Sequence, residues 1–387
     1  MKTHDTAPIL PGELLGVLGG GQLGAMFAAA ARRMGYRVAV ITETADCPAA
    51  RHADRLHVGS YDDSAFLTAA ASELAVVTFE FENVPAAAGE ALAAAVPVRP
   101  HPRVLFITQN RAREKAFLTE RGIPCGRYAV VESAAELESA VAQIGLPAVL
   151  KTAAFGYDGK GQRLLREPDD IVSAWESLGG AACVLEEWID FSCELSVVAA
   201  RGLDGAVNAF PAARNDHANH ILDVSSVPAG LPIEVLGEAE HLAATVLSEL
   251  DVVGVACVEF FLTTDSRLLV NEIAPRTHNS GHLTIEACPT SQFEQQVRAI
   301  CGLPLGETTP LAPAAMANLL GDCWSAGTPN WAAALAVPGV NLHLYGKAEP
   351  RPGRKMGHLT ATAMTVDQAI AAVRQAREAL RPEEAAS

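Results

Sequence analysis

The chain has 387 residues, 49% of them hydrophobic and 19% charged, which is the composition of a folded protein of two or three domains and excludes a disordered one. Its formal net charge of −16 argues against nucleic acid as a partner, since that needs a basic surface. An anionic small substrate is still compatible, because a local Lys/Arg cluster can reverse the potential of one cleft. In chain order, Leu14–Leu18 reads as an apolar strand, Gly19–Gly24 as a tight turn into an Ala-rich helix to about Met34, and Arg37–Ile41 as a second strand. A helix over about Ser64–Ser72 precedes a third strand, Leu74–Phe79. Alternating strands and helices imply a parallel sheet, closed by the Pro-rich crossing Pro97–Pro102. A helix over Arg111–Arg121, strands at Tyr128–Val131, Ala148–Lys151 and Ala182–Glu186, and a helix over Ala134–Gln143 form a small α+β unit. From Ser192 onward strands dominate, with helices at about Ile233–Leu250 and Ser291–Ile300. Asn341–Thr360 is strand-like and basic, and an Ala/Arg-rich helix runs to about Leu380. The expected division is 1–110, 111–190 and 191–387, an α/β unit followed by two α+β units.

The eight cysteines show no CxxC or CxxH spacing. That argues against structural zinc and fits a reducing compartment. No signal-peptide pattern opens the sequence, and no apolar run reaches the roughly 18 residues of a membrane span. The sequence therefore predicts a soluble, cytoplasmic protein with no membrane partner.

Two strands carry acids that apolar strands do not normally hold. Val255–Leu262 contains Glu259, and LVNEIAPRTHNSGH at Leu269–His282 contains Glu272. A buried acid is costly unless paired, and two on neighbouring strands repel unless a divalent cation lies between them. Oxygen ligands suit Mg²⁺ shared with substrate phosphates, and Mn²⁺ accepts the same donors. Gly19, Gly21 and Gly24 form GxGxxG at a strand-to-helix junction, with Glu43 nineteen residues further on. This fits a nicotinamide fingerprint, another phosphate ligand, or plain packing. Glu80 and Glu82, in TFEFENV, end the adjacent strand and could accept hydrogen bonds from an amine or ribose. Lys151 ends the strand PAVLK, where it can reach an anion. The loop Gly156-Tyr157-Asp158-Gly159-Lys160-Gly161-Gln162 can fold its backbone N–H groups over phosphates, although it lacks Walker spacing. Glu186-Glu187-Trp188-Ile189 leaves a strand as a linker that can present backbone groups to an adenine edge, and Glu194 follows it.

This order of lysine strand, Gly-rich lid, acidic hinge and two acid-bearing strands resembles the ATP-grasp superfamily along nearly the whole chain. Within it, GGGQLG (19–24), TFEFENV (78–84), GYDGKGQ (156–162), NEIAPRTHNSGH (271–282) and RPGRKMGH (351–358) resemble the 5-(carboxyamino)imidazole ribonucleotide synthases of purine biosynthesis. The resemblance implies an ATP-grasp fold with an N-terminal Rossmann-like domain, a small lid and a larger C-terminal α+β domain. It implies a ligase that carboxylates 5-aminoimidazole ribonucleotide with ATP and bicarbonate through carboxyphosphate. It also implies a homodimer. A related formate-dependent or other ATP-grasp ligase is the alternative within the superfamily; a nicotinamide-dependent oxidoreductase is the alternative outside it. By the same resemblance Arg111, Lys151 and Lys160 contact ATP phosphates, with the loop Gly156–Gln162 over them. Glu186, Glu187, Trp188, Ile189, Glu194 and His217 surround adenine and ribose. Glu259 and Glu272 bind Mg²⁺ with Asn271 beside them. Gln22, Leu23, Glu80, Asn279, Ser280, Lys347, Arg354 and Lys355 hold the ribonucleotide. Tyr157, Asp158, Arg276 and His278 line the reaction space, with Asp158 or a neighbour helping to deprotonate the amine and Arg276 steadying carboxyphosphate. Trp188, Cys193, Arg214 and Asn219-His220 depart from the pattern expected there.

Overall fold

In a computed structural model, which describes residues 7–154 and 161–381, the chain opens with strands and helices interleaved. The opening unit is a parallel sheet in the order β3-β2-β1-β4. Its elements are β1 (Leu14–Leu18), α1 (Gln22–Arg33), β2 (Arg37–Thr42), β3 (Arg55–Val58), α2 (Ser64–Ala71), β4 (Val76–Phe79), α3 (Ala86–Ala93) and α4 (Pro102–Thr108). Strand β1 is buried along its whole length, as a parallel strand covered on both faces must be. Its Leu14 and Leu18 pack with Leu67 of α2 and Leu92 of α3. Its Leu15 and Val17 face the opposite way, onto Phe27 and Ala28 of α1. Leu74–Phe79, expected as the third strand, holds the fourth, because the sequence pattern does not mark β3. That strand has four residues and is largely exposed, so no apolar run marks it. Helices α3 and α4 were missed with it, and the chain continues past the Pro97–Pro102 crossing into α4 before leaving the unit.

Helix α5 (Arg111–Glu120) follows, capped by the Asn110 side chain on the Arg113 N–H at 3.1 Å, a satisfied helix start. Next come β5 (Tyr128–Val131), α6 (Ala134–Ile144), β6 (Ala148–Thr152), β7 (Gln162–Leu165), α7 (Asp170–Ser177) and β8 (Cys183–Glu187). Their strands form an antiparallel sheet in the order β5-β8-β6-β7.

The rest of the chain builds one nine-stranded sheet from β9 (Phe191–Arg201), β10 (Val207–Ala209), β11 (Ala213–Ala218), β12 (Ile221–Val227), β13 (Gly254–Thr263), β14 (Leu268–Ala274), β15 (Ala314–Leu320), β16 (Val340–Leu344) and β17 (Lys355–Thr362). The order is β14-β13-β9-β11-β12-β15-β17-β16, with β10 beside β9. Strand β14 is therefore an edge. Five helices accompany the sheet: α8 (Ile233–Glu249), α9 (Thr284–Ala287), α10 (Gln292–Ile300), α11 (Trp331–Leu335) and α12 (Val366–Glu378). Along β9, Leu195, Val197 and Ala199 face α8, while Val198 and Ala200 face the layer holding Leu283 and Ala287, the period of two that a sheet covered on both sides requires. The strand-like stretch expected over 341–360 resolves into the hairpin partners β16 and β17.

Helix α10 fastens the first unit to this sheet. Its Phe293, Val297 and Ile300 share a core with α1. Buried Gln296 donates to Thr78 of β4 at 2.7 Å and accepts from the Val255 N–H of β13 at 2.5 Å. One side chain thus ties two sheets together, which holds the units as a fixed frame for anything bound between them. Among the described residues no helix is long and apolar enough to cross a membrane.

Candidate active site

The three units line a cleft of about 1070 Å³. Its floor is the β13–β14 pair, where Glu259 and Glu272 are register partners. Like charges directly opposite each other on a sheet are destabilising, and each acid here has a cationic neighbour. Glu259 Oε1 lies 3.0 Å from His278 Nε2, and Glu272 Oε2 lies 3.3 Å from Arg111 Nη1. Burial by itself would raise the Glu259 carboxyl, but His278, His217 and Lys355 outweigh it and hold it down at about 2. Beside them, Asn271 Oδ1 is buried without a hydrogen-bond partner among the described residues, a vacancy that a buried acceptor does not normally tolerate. Two carboxylates and an orphaned amide oxygen fit a hard divalent cation that completes its shell with water and phosphate. Among the described residues no group of three or more His, Cys, Asp or Glu could hold a metal.

The positive wall comes from α5 and β6. Lys151 donates to Glu186 Oε2 at 3.1 Å, and Lys115, 1% exposed, lies 3.4 Å from the same oxygen. Burial favours the neutral Glu186 carboxyl, but Lys115, Lys151 and Arg111 overrule it and hold the group down at about 2. Arg111, Glu114 and Lys115 stand at i, i+3 and i+4 of α5, the spacing that shares one helix face. Lys115 and Glu114 were absent from the sequence-derived site. Two charged residues at that spacing after Arg111, on a helix next to the acid-bearing strands, were the available signal.

At the hinge, His217 Nδ1 lies 2.6 Å from Glu194 Oε2, and both line the cleft. Phe191 and Phe261, missed from sequence, stack with ring centroids 4.7 Å apart in the same wall. Trp188 lines the cleft, half-exposed. Glu187 is turned to Arg127, accepting from its backbone N–H and its Nε, each at 2.8 Å; neither Glu187 nor Ile189 lines the cleft. Asn219 and His220 both have positive φ (51° and 63°) in the two-residue turn between β11 and β12. Such a turn favours residues that tolerate left-handed backbone, which gives that departure a conformational reason.

The glycine loop of the first unit is already occupied by an anion of the chain itself. Glu80 accepts from the Gly21 N–H at 2.5 Å and from the Gly24 N–H at 2.9 Å, at the N-terminus of α1. A Cβ on Gly21 would lie 2.4 Å from Glu80 Oε1, so the glycine is required by this carboxylate. A dinucleotide phosphate needs the same N–H groups, and the nicotinamide reading of the fingerprint fails for that reason. Burial raises the Glu80 carboxyl, against the two N–H groups and the charges of Arg276 and Lys347. Next to it, Glu82 takes the Arg276 guanidinium in an ion pair. This pair joins the first unit to the end of β14.

The remaining expected residues divide. Arg276, His278 and Lys355 line the cleft, with Gln162 at its lid side. Gln22 and Leu23 open α1, and Leu23 is buried in the core shared with α10. Asn279 is buried and doubly bonded to Asn318, and Ser280 bonds Ser196 at 2.7 Å, so both brace the loop from below. Lys347 donates to the Lys355 carbonyl at 2.6 Å, and Arg354 to that of Glu349 at 2.9 Å. Gly156, Tyr157, Asp158, Gly159 and Lys160 lie outside the described residues. Gly161 holds β6 through its carbonyl, which accepts from the Thr152 N–H at 2.8 Å.

Three family models match this chain: the ribonucleotide synthetase preATP-grasp domain over residues 13–109, the ATP-grasp domain over 116–293, and the phosphoribosylaminoimidazole carboxylase C-terminal domain over 314–372. The chain is 42% identical over 362 residues to the N5-carboxyaminoimidazole ribonucleotide synthase of Bacillus subtilis, covering 94% of each chain. It superposes on the ADP complex of an N5-carboxyaminoimidazole ribonucleotide synthetase with a TM-score of 0.92 at 41% identity, over 96% of this chain and 98% of that one. An N5-carboxyaminoimidazole synthase from Aspergillus clavatus, in complex with ADP and 5-aminoimidazole ribonucleotide, is similar at a TM-score of 0.87 and 32% identity, covering 95% and 98%.

Proposed function

The chain belongs to the N5-carboxyaminoimidazole ribonucleotide synthases, ligases of the ATP-grasp fold, and from that premise we propose how its own residues divide the work. The enzyme couples conversion of ATP to ADP and phosphate with carboxylation of 5-aminoimidazole ribonucleotide, in purine biosynthesis. Bicarbonate is the carbon source in this reading: its oxygen attacks the γ-phosphorus, the bond to ADP breaks, and the carboxyl carbon of carboxyphosphate passes to the exocyclic amine as phosphate leaves. Negative charge is present throughout, so catalysis rests on positioning and electrostatic stabilisation. The observation that carries these assignments is the facing pair Glu259 and Glu272 on the floor of a cleft walled by Arg111 and Lys151 and lined also by Arg276.

Glu259, Glu272 and Asn271 would hold Mg²⁺, which when bound neutralises phosphate charge. Lys151 and Arg111 draw the triphosphate, with Lys160 of the lid. Glu194 and His217 orient the ribose, and the lid excludes water from a hydrolysable intermediate. Glu80 would meet the ribonucleotide, with Lys347, Arg354 and Lys355 for its phosphate. A homodimer in the cytoplasm completes the reading; a monomer only in sedimentation velocity at working concentration would remove that part.

The deciding experiment is ADP release from Mg–ATP in bicarbonate buffer, with and without 5-aminoimidazole ribonucleotide. Strong stimulation is expected with bicarbonate and none with formate in its place. No stimulation of folded, ATP-binding protein would return the reaction to an unknown acceptor. Two variants test the roles. Gly21→Ala forces Glu80 off its two N–H groups. It should raise the KM for the ribonucleotide by about tenfold, since a charged hydrogen bond is worth roughly 1.5–3 kcal/mol, with ATP affinity within about twofold. An equal loss on both substrates would show mere unfolding of the loop. Asp158→Asn should lower carboxylation by about a hundredfold, the scale of general-base loss, and ATP binding little; unchanged carboxylation would remove Asp158 as the base.

A further inference from the structure

Lys115 is a buried lysine that does not line the cleft and has two ties to the elements that build it. It is 1% exposed and does not line the cavity. Its Nζ lies 3.4 Å from Glu186 Oε2, the oxygen that also accepts from Lys151 at 3.1 Å. The same Nζ donates to the Asn271 carbonyl at 3.1 Å, one residue from Glu272. Its neighbour Glu114 accepts from the Ile273 N–H at 3.1 Å, and the Pro124 carbonyl accepts from the Val270 N–H at 2.8 Å. Helix α5 and the turn after it thus satisfy the free side of edge strand β14, as a covered edge requires. Lysine at such depth is rare unless paired.

The electrostatic consequence concerns Lys151. One carboxylate between two ammonium groups leaves a net positive charge, and only Lys151 of the three lines the cleft. Without Lys115, Lys151 would be the one ammonium in contact with Glu186, with Arg111 acting on that carboxylate only from beyond ion-pair distance. We propose that Lys115 is a positioning residue of the nucleotide site: by sharing Glu186 it leaves the charge of Lys151 available to the ligand's phosphates. This deepens the function proposed above and rests on its nucleotide site, but not on the identity of the acceptor.

The test compares the affinities of Mg–ATP and adenosine by isothermal titration in the full chain. Lys115→Met should weaken Mg–ATP at least tenfold and adenosine less than twofold, because only the triphosphate feels the lost charge. A merely structural role would weaken both together, and that result, or no change in either, would overturn the proposal. Lys115→Met leaves Glu186 with less compensation and could unfold the chain. The charge-balanced variant Lys115→Met/Glu186→Gln then decides: it should keep the ratio of the two affinities within about threefold of the wild type. A ratio collapsed by tenfold there would also overturn the proposal. ATP binding is read without the ribonucleotide, so failure of the carboxylation assay leaves this result standing, and the reverse holds too.

Discussion

Glu272→Gln is expected to lower ribonucleotide-stimulated ADP release about a thousandfold or more, since a metal's Lewis-acid contribution is worth several kcal/mol and each ~1.4 kcal/mol is a factor of ten in rate. The amide keeps the size and one oxygen of the carboxylate but loses the charge that a hard cation needs. The same substitution should not weaken ATP added without metal. Arg111, 3.3 Å from Glu272, is then released to the phosphates, and a carboxylate that would repel them is gone. The signature is therefore a split: turnover and metal-dependent ATP affinity fall, while metal-free ATP affinity holds or rises. Glu259→Gln should show the same loss of turnover. The double variant should be little worse than either, because residues acting as one unit are not additive. A folded Glu272→Gln enzyme that keeps a tenth of wild-type turnover would remove the metal role. Equal loss of metal-free ATP binding would reassign Glu272 to architecture.

Glu259 and Glu272 were legible as candidate site residues because their chemistry conflicts with their surroundings. A glutamate inside VACVEFFL or LLVNE contradicts the apolar pattern on each side of it, and the conflict marks a site whatever the fold. The register that sets Glu259 against Glu272 needed the sheet. The glycine loop was legible as a tight turn but not as to its occupant. GxGxxG states that something approaches a helix N-terminus; that the anion is Glu80, 59 residues away from Gly21, is a fact of topology. Lys115 was illegible for a different reason. On α5 it reads as one more charged residue of RAREKAFLTE, and only the packing of α5 on β14 turns it inward. Asn279 and Ser280 show a different limit: polar residues in a site motif read as ligand contacts, and the sequence gives no sign of their bonds to Asn318 and Ser196. Sequence marks where polarity is out of place, while the direction of each side chain is decided by elements far away in the chain.

Arg276→Lys should lower kcat by about a hundredfold to a thousandfold, the range seen for a lost transition-state donor, with the KM for ATP within about threefold. Arg276 leaves β14 where its N–H bonds the Ala274 carbonyl at 2.8 Å, and its Nη1 donates to the Thr277 carbonyl at 3.0 Å. Its Nε is taken by Glu82, which outweighs burial and raises the guanidinium above its ordinary range. The group is therefore permanently charged and oriented from both sides before any substrate arrives. A planar fork with donors already aimed can meet two oxygens of a phosphorylated carboxyl group at once, whereas an ammonium meets them only as a point charge. Lysine keeps the charge and loses the geometry, so the loss should fall on the step in which charge moves and not on ATP binding. Glu82→Gln complements the test. It leaves the guanidinium in place but weakens its anchor, and it should cost kcat about tenfold, at the lower end of what loss of a supporting partner costs. If Arg276→Lys instead raised the KM for ATP and left kcat alone, Arg276 would be a ground-state nucleotide contact. If Glu82→Gln were as damaging as Arg276→Lys, the pair would act chiefly as the clasp between the first sheet and β14, and carboxyphosphate would have to be held by another group.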